Sequence, residues 1–271
     1  MPLSGKSPDH VVRVTKRNGY HDIVFSSDNQ SYIDDFSSIA TPKQVSLHKT
    51  SGEHITWLSQ NKIDEQHPIF DYKSDMVQPE FGSLTSDDGK ATLYYKLYKP
   101  TQLTPGKKYP VIVRVYGGPH AQRVTNEWNK KELFTQYLVQ QGYIVYQLDN
   151  RGSNYRGTAF EFPIYQQLGD VEVNDQVTGV KFLHSLPYID KERIGILGRS
   201  YGGYMALMAM FKAGDYFKAG VSGAPVTDWM LYDTHYTERY LNHPDVNAEG
   251  YKQSSVFPYI NGLTNPLFVY H

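Results

Sequence analysis

Arg193-Ile194-Gly195-Ile196-Leu197-Gly198-Arg199-Ser200-Tyr201-Gly202-Gly203-Tyr204 is the stretch that decides how this chain is read. The residues from Arg193 to Leu197 predict a strand, and those from Gly202 to about Lys212 predict a helix. Between them, Gly198-Arg199-Ser200-Tyr201-Gly202 matches G-x-S-x-G. Glycines on both sides permit a strained turn that thrusts the serine up at the head of the helix. Such pentapeptides also occur at ordinary strand–turn–helix junctions. Here the flanking strand, the helix and the extra Gly203 favour a serine held out for attack, and Ser200 is the candidate catalytic nucleophile.

Outward from this turn, apolar strands alternate with helical stretches. Val111–Val115, Ile144–Leu148, Ala219–Ser222 and Pro266–Tyr270 predict strands. Residues from Glu127 to Gln141 and from Val171 to Leu186 predict helices, the second with Val173, Val177, Val180 and His184 at helical spacing. A hairpin, Phe81–Leu84 with Ala91–Tyr98 around Asp88-Gly89, comes first. Strands separated by helices require right-handed crossovers and a mostly parallel sheet. With the serine turn at its centre, the expected class is α/β, an α/β-hydrolase fold over residues 76–271.

Residues 1–75 read differently. Val11–Val14, Asp22–Phe25, Ser31–Phe36 and Gln44–His48 are short β-rich runs, punctuated by Asn18-Gly19, Asp28-Asn29 and Ser51-Gly52. The pattern predicts an antiparallel meander, roughly one or two four-stranded units of the kind propellers repeat and too little to close a propeller by itself.

Composition excludes several chemistries. Lys and Arg number 27 against 28 Asp and Glu, so no global field draws in nucleic acid or an anionic membrane. With no cysteine, disulfides, thiolate metal sites and a cysteine nucleophile are all ruled out. No metal or cofactor is called for. Met1–Lys6 lacks the apolar core of a secretory signal and no run approaches a membrane span, so the chain reads as soluble, with its compartment open. The sequon Asn29-Gln30-Ser31 does not decide it.

An acyl-transfer serine needs an oxyanion hole. The N–H of Tyr201, the residue after the serine, is one donor, and the second must come from the loop after an earlier strand. Val115-Tyr116-Gly117-Gly118-Pro119-His120 is that loop; the Tyr116 hydroxyl either donates to the oxyanion or packs at the strand end. The order serine, acid, histidine then meets an obstruction, because only 71 residues follow Ser200 and His235, His243 and His271 offer no convincing base. The strand Pro266–Tyr270 is the one whose following loop carries the acid. The expectation is a chain that ends before its triad acid and base.

Arg114-Val115-Tyr116-Gly117-Gly118-Pro119, Asp149-Asn150-Arg151-Gly152-Ser153, Gly198–Tyr204 and Ala224-Pro225-Val226-Thr227-Asp228-Trp229 resemble the prolyl oligopeptidase family, from about residue 80 to the end. Tyr232-Asp233-Thr234-His235-Tyr236-Thr237-Glu238-Arg239-Tyr240 is similar to the branch around dipeptidyl peptidase IV. The resemblance implies a serine peptidase that releases Xaa-Pro or Xaa-Ala dipeptides through an acyl-enzyme on Ser200. It implies an oxyanion hole of Tyr116 and Tyr201, and a proline slot lined by Val226, Trp229, Tyr232 and Tyr236. Its partners are peptides with proline or alanine second from the N-terminus, and a second copy of the full-length parent. Relatives are periplasmic, membrane-anchored or cytosolic. Arg199 departs from the tryptophan common in mammalian relatives. The substrate-amine glutamates are expected before Met1, which is then an internal methionine, and residues 1–75 are expected to be a β-rich remnant, the last blade material of a propeller. The isolated chain is expected to be inactive. Two alternatives stay open: an oligopeptidase or acylaminoacyl peptidase of the same family, and a non-catalytic interaction module on the same scaffold.

Overall fold

Short alternating runs need a partner ladder to become strands, and in the N-terminal region they find one. The computed structural model describes residues 12–129 and 132–271. These fall into two units, one within Met1–Gln78 plus Thr125–Glu132, the other Pro79–Val124 plus Leu133–His271.

In the first unit, β1 (Tyr20–Phe25), β2 (Ser31–Ser38), β3 (Thr41–Lys49) and β4 (His54–Ser59) form an antiparallel meander in chain order. Tyr32 and Phe36, both on β2, are buried. The β1–β2 turn carries Asn29 at φ 56° and the β3–β4 turn Gly52 at φ 91°, conformations those residues tolerate. One four-stranded sheet fits the expected propeller remnant. Two details differ from the expectation. Val12, Arg13 and Val14 form no strand, because β1 is the edge of this sheet and no ladder continues past it; Val11 lies outside the described residues. Every residue of β4 is exposed, so the strand lacks the in–out alternation that would announce it.

The second unit begins with the hairpin β5 (Glu80–Thr85) and β6 (Thr92–Tyr98), joined through Asp88-Gly89. It continues through β7 (Tyr109–Val115), α1 (Glu132–Gln140), β8 (Ile144–Asp149), α2 (Thr158–Glu161), α3 (Val171–Ser185), β9 (Ile189–Arg199) and α4 (Tyr201–Lys212). β10 (Ala219–Gly223), α5 (Thr234–Leu241), α6 (Ala248–Ser254) and β11 (Leu267–Tyr270) complete it. The seven strands lie in the order β11-β10-β9-β7-β8-β6-β5, parallel from β11 to β8 and antiparallel at β6 and β5. This is an α/β-hydrolase fold. All six residues of β8 are buried, as a central strand covered on both faces requires. Ten successive residues of α4, Tyr201–Met210, are buried too.

The helix expected from Glu127 starts at Glu132 instead. Just before it, Asn126 Oδ1 accepts the Ile39 N–H at 3.0 Å and the Trp128 N–H donates to Ser37 Oγ at 3.2 Å. These bonds hold residues 125–129 to the meander and outweigh helical propensity. Register then sets the site. Val115 pairs with Gly198 and Gly223 with Arg199, so the ends of β7 and β10 flank the serine turn at the carboxyl edge of the sheet, where open α/β sheets bind ligands.

Candidate active site

Ser200 has φ 61° and ψ −123°, a backbone state that costs about 1–3 kcal/mol and survives only where its surroundings enforce it. The enforcement is visible. The Ser200 N–H donates to Gly223 O at 2.8 Å, and Ser200 O accepts the Tyr204 N–H at 3.0 Å. A Cβ on Gly198 would fall 2.1 Å from Gly202 O, and one on Gly202 would fall 2.4 Å from Val115 O. Only glycine fits either position, which is the steric content of the G-x-S-x-G pattern. Ser200 is thereby the N-cap of α4, half-buried, at the tip of β9.

A cavity of about 400 Å³ opens at the serine, lined by Arg199, Ser200, Ala224, Pro225, Val226, Thr227, Asp228, Leu231, Tyr232 and His271. Val226 and Tyr232, both expected in the slot, are on its wall. Trp229 and Tyr236 are not among the lining residues. Trp229 is 1% exposed and stacks on Tyr236 with ring centroids 6.0 Å apart and planes within 11°. Tyr232 stands edge-on to both at 5.9 and 5.4 Å, so the two rings back the wall of the cavity. Two aspartates hold this arrangement. Asp228 accepts the Met230 N–H at 3.0 Å, and Asp233 caps α5 by accepting the Tyr236 N–H at 2.8 Å.

Tyr116 follows β7, its ring 6.1 Å from that of Tyr201. Burial raises the pKa of its phenol, the Arg123 guanidinium opposes this from 4.6 Å over the ring, and Tyr232 raises it further. The hydroxyl stays protonated and can donate. Tyr201 is buried and its phenol is also pushed well up, by burial first and Glu172 next. The histidines are divided. His235 bonds to Arg239 at 2.9 Å, His243 lies 3.5 Å from Asp245, and His271 lines the serine's cavity.

Several residues hold the site through contacts that the sequence did not reveal, among them Asp149, Asn150 and Arg151 of one of the resembling stretches. Asn150 Nδ2 donates to Gly117 O at 2.9 Å and to Arg151 O at 2.7 Å, while its Oδ1 accepts from Gln176 Nε2 at 2.9 Å, fastening the loop that bears Tyr116. Asp149 accepts the N–H groups of Arg123 and Val124 at 2.8 and 3.0 Å. Arg151 forks onto buried Asp175 at 3.0 and 2.7 Å and reaches Asp88 at 2.7 Å. Glu172 accepts from the Tyr201 hydroxyl at 2.7 Å. The available signal is on α3: Glu172, Asp175 and Gln176, at i, i+3 and i+4, are polar residues on one face of a helix whose other buried residues are, Thr178 apart, apolar or glycine.

The model for the prolyl oligopeptidase family matches residues 129–271. The chain belongs to the prolyl oligopeptidase family. It is 42% identical over 258 residues to dipeptidyl peptidase 8 of Mus musculus, a match covering 92% of this chain and 28% of that protein. It is 34% identical over 259 residues to dipeptidyl peptidase 4 of Trichophyton tonsurans, covering 94% and 31%. The solved dipeptidyl peptidase 4 of Porphyromonas gingivalis superposes with a TM-score of 0.87 at 33% identity, over 95% of this chain and 36% of that one. The chain therefore spans 28% to 36% of the length of these relatives of the prolyl oligopeptidase family.

Proposed function

We propose that the protein carrying this chain is a serine exopeptidase that removes Xaa-Pro or Xaa-Ala dipeptides from peptide N-termini. The observation that carries the reading is Ser200 on a sterically enforced turn, opening into a cavity walled by Val226 and Tyr232, with Tyr116 on the neighbouring loop. Ser200 Oγ attacks the carbonyl after the second residue and its proton passes to a histidine base. The Tyr201 N–H and the Tyr116 hydroxyl donate to the oxyanion, the remaining peptide leaves as an amine, and water releases the dipeptide from the acyl-enzyme. Flat aromatic walls suit a pyrrolidine ring, which is already rigid and loses little entropy on burial. Trp229 and Tyr236 support that wall. The relatives named dipeptidyl peptidase support the same substrate class. The chain spans only 28% to 36% of these relatives' length, and the proposal assigns the triad acid and base and the amine-binding glutamates to the rest of the parent, which pairs with a second copy.

The test is turnover of a Gly-Pro chromogenic amide by the full-length protein, together with fluorophosphonate labelling. Turnover and labelling that both vanish in Ser200→Ala are the expected result. Preference for N-blocked substrates would transfer the assignment to an oligopeptidase or acylaminoacyl peptidase. Failure of the full-length protein to label would leave a non-catalytic module. The isolated chain is expected not to turn over, since losing the triad base costs several decades of rate.

A further inference from the structure

Glu172 sits in the first turn of α3 with 0% of its surface exposed, and the peptidase chemistry above gives it no part. Its contacts converge on one neighbour. The Tyr201 hydroxyl donates to Oε1 at 2.7 Å, and the Gly169 N–H meets both carboxyl oxygens at 3.0 Å. Lys212, the last residue of α4, donates to Gly169 O at 3.2 Å and to Asp170 Oδ1 at 2.7 Å. The segment Gly169–Glu172 is thus tied to both ends of α4, through Tyr201 at its first residue and Lys212 at its last. Tyr201 in turn is the support on which the oxyanion loop rests, because a Cβ on Gly118 would fall 2.7 Å from Tyr201 Cγ. Its ring also lies 5.3 Å from Tyr204 and 5.5 Å from Trp229.

A leucine of similar size would fill this space without the desolvation cost of a carboxyl, so bulk alone does not account for an acid here. What the acid adds is a directed hydrogen bond that anchors the tip of the Tyr201 side chain and so fixes the direction in which its ring points. We infer that Glu172 is a positioning residue for the oxyanion hole: by holding the Tyr201 phenol it sets both the Tyr201 N–H and the Tyr116 loop packed against that ring. This rests on the oxyanion roles proposed for Tyr201 and Tyr116. Glu172 touches no reacting atom, and its effect passes entirely through Tyr201.

The experiment measures kcat and KM on a Gly-Pro chromogenic amide for the full-length protein and for Glu172→Leu, Glu172→Gln, Tyr201→Phe and the Glu172→Leu/Tyr201→Phe double variant. Rates are normalised to active sites counted with a fluorophosphonate. Loss of one oxyanion donor costs about a hundredfold to a thousandfold, so a misaimed one is expected to lower kcat by about tenfold to a hundredfold with KM within about threefold. Glu172→Leu and Tyr201→Phe should each do this, and the double variant should be no slower than the slower single. Glutamine, whose oxygen still accepts from the phenol, should restore most of the rate. The inference is overturned if normalised kcat is unchanged in Glu172→Leu, if the change lies in KM alone, or if the two single effects multiply. Should the leucine variant not fold, Tyr201→Phe against Glu172→Gln decides on the same criteria. Tyr116→Phe separates the two levels: a silent Tyr116→Phe removes the oxyanion role of that phenol, whereas a slow Tyr116→Phe beside a fast Glu172→Leu removes the Glu172 inference alone.

Discussion

Replacing Glu172 by glutamine is expected to change how stability depends on pH. Burial drives the Glu172 carboxyl up to about 7 from an ordinary 4.5, and the Gly169 N–H and Tyr201 hydroxyl offset that only in part. Between those two values the folded protein keeps a proton that the unfolded chain has lost. Unfolding then releases a proton, so stability falls as pH rises through this window; below it both states are protonated and above it both are ionised. Each pH unit between the two values is worth about 1.4 kcal/mol, so raising the carboxyl from 4.5 to about 7 amounts to roughly 3–4 kcal/mol lost between about pH 4.5 and 7. Glutamine does not titrate and lacks this slope. The groups that interact with Glu172, namely Tyr201, Tyr204, Tyr236 and Asp175, are common to both proteins, as is the Asp170–Lys212 pair beside Gly169. Their contributions cancel in the difference between the two curves. Denaturant unfolding of the full-length protein from pH 4.5 to 7.5, followed by circular dichroism, gives that difference. Parallel curves, or a wild type that gains on the glutamine variant as pH rises, would refute the reasoning.

Gly202→Ala forces a methyl to 2.4 Å from Val115 O. Expected are a loss of about 1–3 kcal/mol by thermal melting and collapse of fluorophosphonate labelling, because the elbow must open to admit it. Asp175→Asn removes the buried one of the two anions on the Arg151 guanidinium, leaving only the exposed Asp88, and should cost about 3 kcal/mol in chemical denaturation. Trp229→Ala empties the space behind the Tyr232 wall at a cost of about 3–5 kcal/mol, and discrimination between Gly-Pro and Gly-Ala amides should narrow, as measured by the ratio of kcat/KM values.

The features written in local pattern were the legible ones. Gly198, Ser200 and Gly202 announce the elbow because its whole pattern is written in five consecutive residues; a Cβ on Gly198 would meet Gly202 itself, while one on Gly202 would meet the distant Val115 O. β7, β8 and β9 announced themselves as apolar runs. What stayed hidden depends on partners far along the chain. Asn150 meets Gly117 and Glu172 meets Tyr201 through single side-chain hydrogen bonds, which impose no periodicity on the sequence. The late start of α1 has the same origin, since Asn126 and Trp128 bond to the meander. Trp229 and Tyr236 were read as slot lining from the resemblance; their composition and spacing also suit a packed aromatic cluster, and three-dimensional context sets them behind Tyr232.

The strand order also bears on how the serine comes into being. β9 lies between β7 and β10, and the β7 pairing that brings Val115 to Gly198 joins segments about 80 residues apart, a separation that makes loop closure slow and raises contact order. The strained turn at Ser200 leans on both neighbours, through Val115 O and Gly223 O. A ribosome-bound or partly folded chain therefore has the pentapeptide but not the geometry, and a cutting edge cannot be sharpened before the sheet around it has zipped shut.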